Sequence, residues 1–198
     1  MTATRFDAGT ALVVVDVQND FADPAGGLYV DGGEQIIAGV NDAVDAVIAA
    51  GGHVFYTQDW HPPTTPHFAK DGGSWPVHCV RDTWGARLHP GLTVDGPVVR
   101  KGTGGEDGYS GFSVRDPVSG DESTTELSSL LADVGVRRVV VVGLAGDVCV
   151  QATALDARRL GYDVVVPWSL TRCVKVAASD VERAIGDLRD AGVVVAAG

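Results

Sequence analysis

Three residues of this 198-residue chain have the types and positions that covalent chemistry needs: Cys149, Asp16 and Lys101. Cys149 follows Val139-Val140-Val141-Val142-Gly143-Leu144-Ala145-Gly146-Asp147-Val148. Four consecutive valines read as a strand buried on both faces. Gly143 and Gly146 break it, and an apolar, alanine-containing helix restarts and runs to about Gly161. Asp147 is placed to cap that helix, which puts Cys149 in its first turn. Unpaired backbone N–H groups and the positive end of the helix dipole favour thiolate over thiol there. The competing reading is an inert cysteine packed beneath a helix. Asp16, in VVVDVQNDF, ends the first apolar strand, and Lys101, in VVRKG, ends the third. Each alone reads as a turn residue or a solvated strand end. Together they form a nucleophilic set in which Asp16 accepts the thiol proton, Lys101 holds a thiolate by charge, and Cys149 attacks a carbonyl carbon. Backbone N–H groups around residues 146–149 would receive the oxyanion.

A second cluster lies between the second and third strands. It reads Asp59-Trp60-His61-Pro62-Pro63-Thr64-Thr65-Pro66-His67, then Ser74-Trp75-Pro76-Val77-His78-Cys79. Three of the chain's five histidines fall within these two segments. Alternation puts Asp59 and His61 on the same side of an extended segment, and the prolines restrict the loop. One carboxylate and three imidazoles can ligate a borderline divalent ion such as Zn²⁺, Fe²⁺ or Mn²⁺. The plain alternative is a loop of surface histidines. Cys79 reads as packed, and His53 and His89 as structural.

The elements that must position these groups alternate. Strands are expected at residues 11–17, 53–58, 97–101, 137–143, 163–167 and 193–196. Helices are expected over residues 33–51, from a capping box at Ser123-Thr124-Thr125-Glu126 to about Val134, from Cys149 to about Gly161, and from a second box at Ser179-Asp180-Val181-Glu182 to Ala191. Residues 59–96 and 102–121 read as loops, and a long loop in a compact domain is usually functional. Such alternation implies an α/β fold with one doubly wound, mainly parallel six-stranded sheet and helices on both faces. Residues 1–198 read as one domain. In such sheets working residues gather at the strands' carboxyl ends, which puts Asp16, Lys101 and Cys149 on one edge.

Composition narrows the function. Hydrophobic content of 45% and 26 glycines suit a soluble α/β chain. No stretch approaches the ~20 apolar residues that span a bilayer, and MTATRFDAG lacks a signal-peptide pattern, so a cytoplasmic location is expected. Three scattered cysteines fit a reducing compartment. A net charge of −11 argues against nucleic-acid and anionic-membrane partners, and leaves a small neutral substrate unpenalised.

Taken with these motifs, the sequence resembles the nicotinamidase (pyrazinamidase) branch of the isochorismatase-like cysteine hydrolases, a Rossmann-like fold. The resemblance runs over residues 11–161, with the last helix and strand fitting in kind. Asp16 in DVQNDF, Lys101 in VRKG and Cys149 in GLAGDVCV match the family's catalytic triad. Asp59, His61, His67 and His78 match the ligands of its metal site, and Phe21, Trp75 and Tyr109 fall where it surrounds a pyridine with aromatic rings. The resemblance also implies a cis Leu144–Ala145 peptide that aims the N–H groups of Ala145 and Cys149 as an oxyanion hole. The activity implied is hydrolysis of nicotinamide, with pyrazinamide as a further substrate, to the acid and ammonia through a thioester, a step of NAD salvage. The implied cofactor is one divalent ion (Zn²⁺, Fe²⁺ or Mn²⁺), to which the ring nitrogen binds directly or through its water. Self-association into a homo-oligomer is common in such acidic chains. An amidase of the same superfamily acting on another aromatic or heteroaromatic carboxamide fits the same motifs. The loop GTGGEDG at residues 102–108 is more acidic and glycine-rich than the family pattern.

Overall fold

Strands with apolar residues at every position need cover on both faces, and the chain supplies it. The computed structural model describes residues 6–197. Strands β1 (Thr10–Val15), β2 (His53–Asp59), β3 (Val98–Lys101), β6 (Arg138–Leu144), β7 (Asp163–Pro167) and β9 (Val194–Ala196) pair in parallel in the order β3-β2-β1-β6-β7-β9. Leu12, Val14, Val140 and Val142 face helix α2 (Ile37–Ala49), which presents Val40, Val44 and Val47. Val13, Val15, Val139 and Val141 face the other way. They meet Leu131 of α3 (Leu127–Asp133), Val150 and Ala154 of α4 (Cys149–Arg159), and Leu188 of α5 (Asp180–Asp190). Burying each such side chain contributes roughly 1.5–3 kcal/mol, so the valine runs need no polar alternation.

The sheet departs from expectation at the carboxyl end of β6. A two-residue strand, β8 (Thr171–Arg172), pairs in parallel with the end of β6, making seven strands where six were expected. Two residues between helices carry no periodicity to read. Likewise β4 (Ser113–Arg115) and β5 (Glu122–Thr124) form an antiparallel pair inside what reads as loop and capping box. Ser123 and Thr124 are therefore strand residues, and α3 starts at Leu127, whose N–H donates to Thr125 Oγ1 at 3.2 Å. Ser179 does precede α5, but its side chain makes no cap; Asp180 instead accepts the Ala177 N–H at 2.6 Å. Residues 33–36 form a 3₁₀ turn before α2, and helix α1 (Asn19–Ala22) is a single turn.

From β1 the chain moves outward through β2 and β3, then returns to β6 on the other side of β1. The direction of winding thus reverses between β1 and β6, and a crevice opens outside their carboxyl ends. Gly143 permits close approach at this point. Its φ is +109°, and a Cβ there would lie 2.2 Å from the Val15 carbonyl oxygen. No helix among the described residues is long and apolar enough to cross a membrane.

Candidate active site

Asp16 leaves β1 on one flank of that crevice, and the turn after β6 delivers Cys149 on the other. Asp16 has φ +49°, and Thr57 on neighbouring β2 donates its hydroxyl to Asp16 Oδ1 at 2.7 Å. The β2–β3 register sets Asp59 beside Lys101. Lys101 Nζ lies 2.8 Å from Asp16 Oδ2, 2.5 Å from Asp59 Oδ1 and 3.9 Å from Cys149 Sγ, and it also donates to the Gly108 carbonyl. Carboxylate oxygens of Asp16 and Asp59 and the Cys149 sulfur all lie within 4.8 Å of one another. The three strand-end residues therefore meet, as expected, with Asp59 as a fourth member.

Environment divides the labour among these groups. Burial pushes Asp16 up to about 6, against the pull of Lys101 and with help from Asp59. Burial also pushes Asp59 upward, but Lys101, His61 and His78 outweigh it and hold that carboxyl below its ordinary value. One carboxylate thus stays ionised while its neighbour is poised to take a proton, the arrangement that separates acid–base roles. Lys101 is held as an ammonium: burial opposes the charge, and Asp16 and Asp59 prevail. Burial raises the Cys149 thiol well above its usual value, with Lys101 pulling against it. Burial thus opposes the thiolate that the helix start and Lys101 favour, and Asp16 stands beside the sulfur as its proton acceptor.

The expected cap is corrected. Asp147 accepts the N–H groups of Val174 and Lys175 at 2.9 and 2.8 Å, and Val148 is the uncapped residue before α4. Cys149 is still the first helical residue, where backbone N–H groups lack intrahelical partners. The Leu144–Ala145 peptide is cis. Gly146 N–H is committed to the Arg172 carbonyl at 2.7 Å and Val148 N–H to that of Ala145 at 3.1 Å. Two of the four N–H groups at residues 146–149 are thereby taken by backbone carbonyls.

Beside this cluster stand three buried imidazoles. Donor nitrogens of His61, His67 and His78 all lie within 4.8 Å of one another. His78 Nδ1 bonds the Pro76 carbonyl at 2.7 Å, and His67 Nδ1 bonds Asp107 Oδ1 at 2.6 Å, leaving each Nε2 free to ligate. His61 is fully buried, and neither ring nitrogen has a hydrogen-bond partner. An unsatisfied buried polar group costs about 1–3 kcal/mol, which a bound cation would relieve. Burial pushes His61 down to about 4 and lowers His78, so both present the neutral lone pair that metals require. Asp59 Oδ2 lies 3.9 Å from His61 Nε2, linking the two clusters. The donor set fits a divalent ion. Cys79 packs in the apolar core, as read from the sequence.

A cavity of about 400 Å³, counting its open mouth, lies over both clusters. Phe21, Trp75 and Tyr109 all line it, with Asp59, His67, His78, Ala145 and Cys149. Trp75 Nε1 donates to the Tyr109 hydroxyl at 2.9 Å, and the Phe21 ring lies 5.3 Å from that of His78. Asp16, Lys101 and His61 sit beneath the floor, at most 1% exposed. Sequence reasoning missed Thr57, Asp107, the Gly108 carbonyl, and the apolar wall of Leu28, Val30, Val148 and Val174. Only the unusual acidity of the loop at residues 102–108 signalled any of them.

Comparison with known proteins bears on this geometry. The Isochorismatase domain model matches residues 10–197. The chain is 38% identical over 190 residues to the nicotinamidase/pyrazinamidase of Mycobacterium tuberculosis, covering 92% of this chain and 96% of that one. It is 34% identical over 200 residues to the nicotinamidase of Escherichia coli, covering 92% of each. Among solved structures, PnC1 from L. infantum in complex with nicotinate superposes with a TM-score of 0.89 at 36% identity, covering 98% of this chain and 96% of that one. The pyrazinamidase of Pyrococcus horikoshii in complex with zinc gives 0.84 at 35% identity, covering 96% and 99%.

Proposed function

This chain belongs to the isochorismatase family, and we propose that it hydrolyses nicotinamide to nicotinate and ammonia, as a step of NAD salvage in the cytoplasm. The observation that carries the reading is the junction of two clusters: a thiol, a proton acceptor and an ammonium within touching range, beside three buried imidazoles under an aromatic-walled cavity.

The carboxamide carbon stands over Cys149, with the ring between Phe21, Trp75 and Tyr109. Asp16 takes the thiol proton as the sulfur attacks, and Lys101 stabilises the charge that passes through the sulfur. The N–H groups of Ala145 and Cys149 receive the oxyanion, where one donor is worth about 3–4 kcal/mol. Asp16 returns the proton to nitrogen, ammonia leaves, and a thioester remains on Cys149. Asp16 then takes a proton from water as its oxygen attacks the acyl carbon; the C–S bond breaks, releasing the acid and restoring the thiol. Asp59, His61, His67 and His78 would hold one divalent ion, with zinc the first choice, and the ion would supply a Lewis-acidic anchor for the pyridine nitrogen. Such an anchor would orient the amide over Cys149, and positioning of that kind can supply roughly 7–11 kcal/mol of a barrier.

The net charge of −11 keeps polyanions away and spares a neutral heteroaromatic amide. The test is ammonia release from nicotinamide, pyrazinamide and a panel of other aromatic amides, with zinc-loaded and chelated protein. Nicotinamide turnover that falls on chelation is expected; turnover of another amide in preference would move the assignment to a sister amidase.

A further inference from the structure

The three imidazoles are not held alike. His78 Nδ1 meets a backbone carbonyl, His61 Nδ1 has no partner, and His67 Nδ1 lies 2.6 Å from a carboxylate, that of Asp107. We propose that Asp107 is a positioning residue for the metal centre: its carboxylate accepts the His67 Nδ1–H, locks the ring so that Nε2 carries the donor lone pair, and makes His67 a stronger ligand. The inference rests on the divalent-ion site above and adds to it a residue from the loop that departs from the family pattern.

Three observations carry it. A carboxylate offers only acceptor lone pairs, so the nitrogen facing it must bear the proton. One ring nitrogen from each of His61, His67 and His78 lies within 4.8 Å of the others, and with Nδ1 committed to Asp107 the nitrogen His67 has to offer is Nε2; a carboxylate behind a ligating imidazole raises its basicity. Finally, Asp107 is itself fixed. Its N–H donates to the Arg115 carbonyl at 2.8 Å and its carbonyl accepts the Arg115 N–H at 2.9 Å. The loop therefore reaches His67 from a pinned backbone, and the same loop holds Lys101 through the Gly108 carbonyl. Because the pinning is through main chain, removing the Asp107 side chain leaves the loop's anchor in place.

The experiment is competition for zinc between a chromophoric chelator and four proteins: wild type, Asp107→Ala, Asp107→Asn and Glu106→Gln. Glu106 carries the same charge one residue away, and its carboxylate accepts the Gly104 N–H at 2.9 Å. Asp107→Ala should weaken zinc binding roughly 10–100-fold. Asp107→Asn, which keeps an acceptor oxygen, should lose less, and Glu106→Gln should bind as wild type does. Nitrogen-15 spectra of the zinc-free proteins should show His67 as a single Nδ1–H tautomer in wild type and as an exchanging one in Asp107→Ala. Unchanged zinc affinity and tautomer in Asp107→Ala would overturn the assignment, as would an equal loss in Glu106→Gln, which would reduce the effect to general charge. Failure of wild type to bind zinc would instead strike the metal site itself.

Discussion

Replacing Lys101 by methionine isolates the ammonium that two buried carboxylates share. The side chain is fully buried, its Nζ lies 2.8 Å from Asp16 and 2.5 Å from Asp59, and methionine roughly fills its volume. Packing is thus nearly conserved while the buried charge changes from one excess negative to two. Removing one partner from a buried ion network typically costs about 3–5 kcal/mol, because the survivors are left uncompensated. The cheapest relief is protonation of Asp16, already pushed up to about 6 by burial. The sign follows from linkage. A carboxyl whose folded value lies above its unfolded one gives a contribution fully present below the unfolded value and lost as pH rises through the folded value. Without the ammonium that folded value climbs further, so the variant's deficit should be largest near about pH 8 and shrink toward about pH 5. Urea unfolding of chelated wild type and Lys101→Met at both conditions reads this directly. A deficit below about 1 kcal/mol, or one independent of pH, would refute the shared-charge account.

Turnover should rise with pH through about 6 as Asp16 ionises, and Asp16→Asn should abolish that limb while lowering kcat on the order of 10²–10⁴-fold; a limb that survives assigns the base elsewhere. His61→Ala should strip the metal, so elemental analysis showing full occupancy would overturn the ligand set. Gly102→Ala should lower metal content more mildly. The backbone there has φ +72°, and a Cβ would stand 2.5 Å from His61 Cε1; unchanged content would show that the imidazole has room to shift.

What could be read from the chain alone followed a physical divide. Asp16 and Lys101 were legible because each is a polar residue at the end of an apolar strand, and Cys149 because it opens the helix just beyond one; parallel topology brings such ends together. The candidate ligands were legible because Asp59, His61, His67 and His78 crowd into one proline-rich stretch. Thr57 was not, because its role arises from the β1–β2 pairing, and a threonine in a strand carries no signal of its own. Nor was Asp107, whose partner His67 is 40 residues away. The cap at Asp147 failed for a related reason: local spacing suited it, but a distant segment at Val174 and Lys175 offered two N–H donors and won. Strand β8 has only two residues, too few for any periodicity.

The central claim is that the sulfur of Cys149 forms and breaks the covalent bond to the acyl group. Cys149→Ala, loaded with zinc, should bind nicotinamide measurably by calorimetry and release no ammonia from it. Ammonia release at the wild-type rate from that variant would contradict the claim.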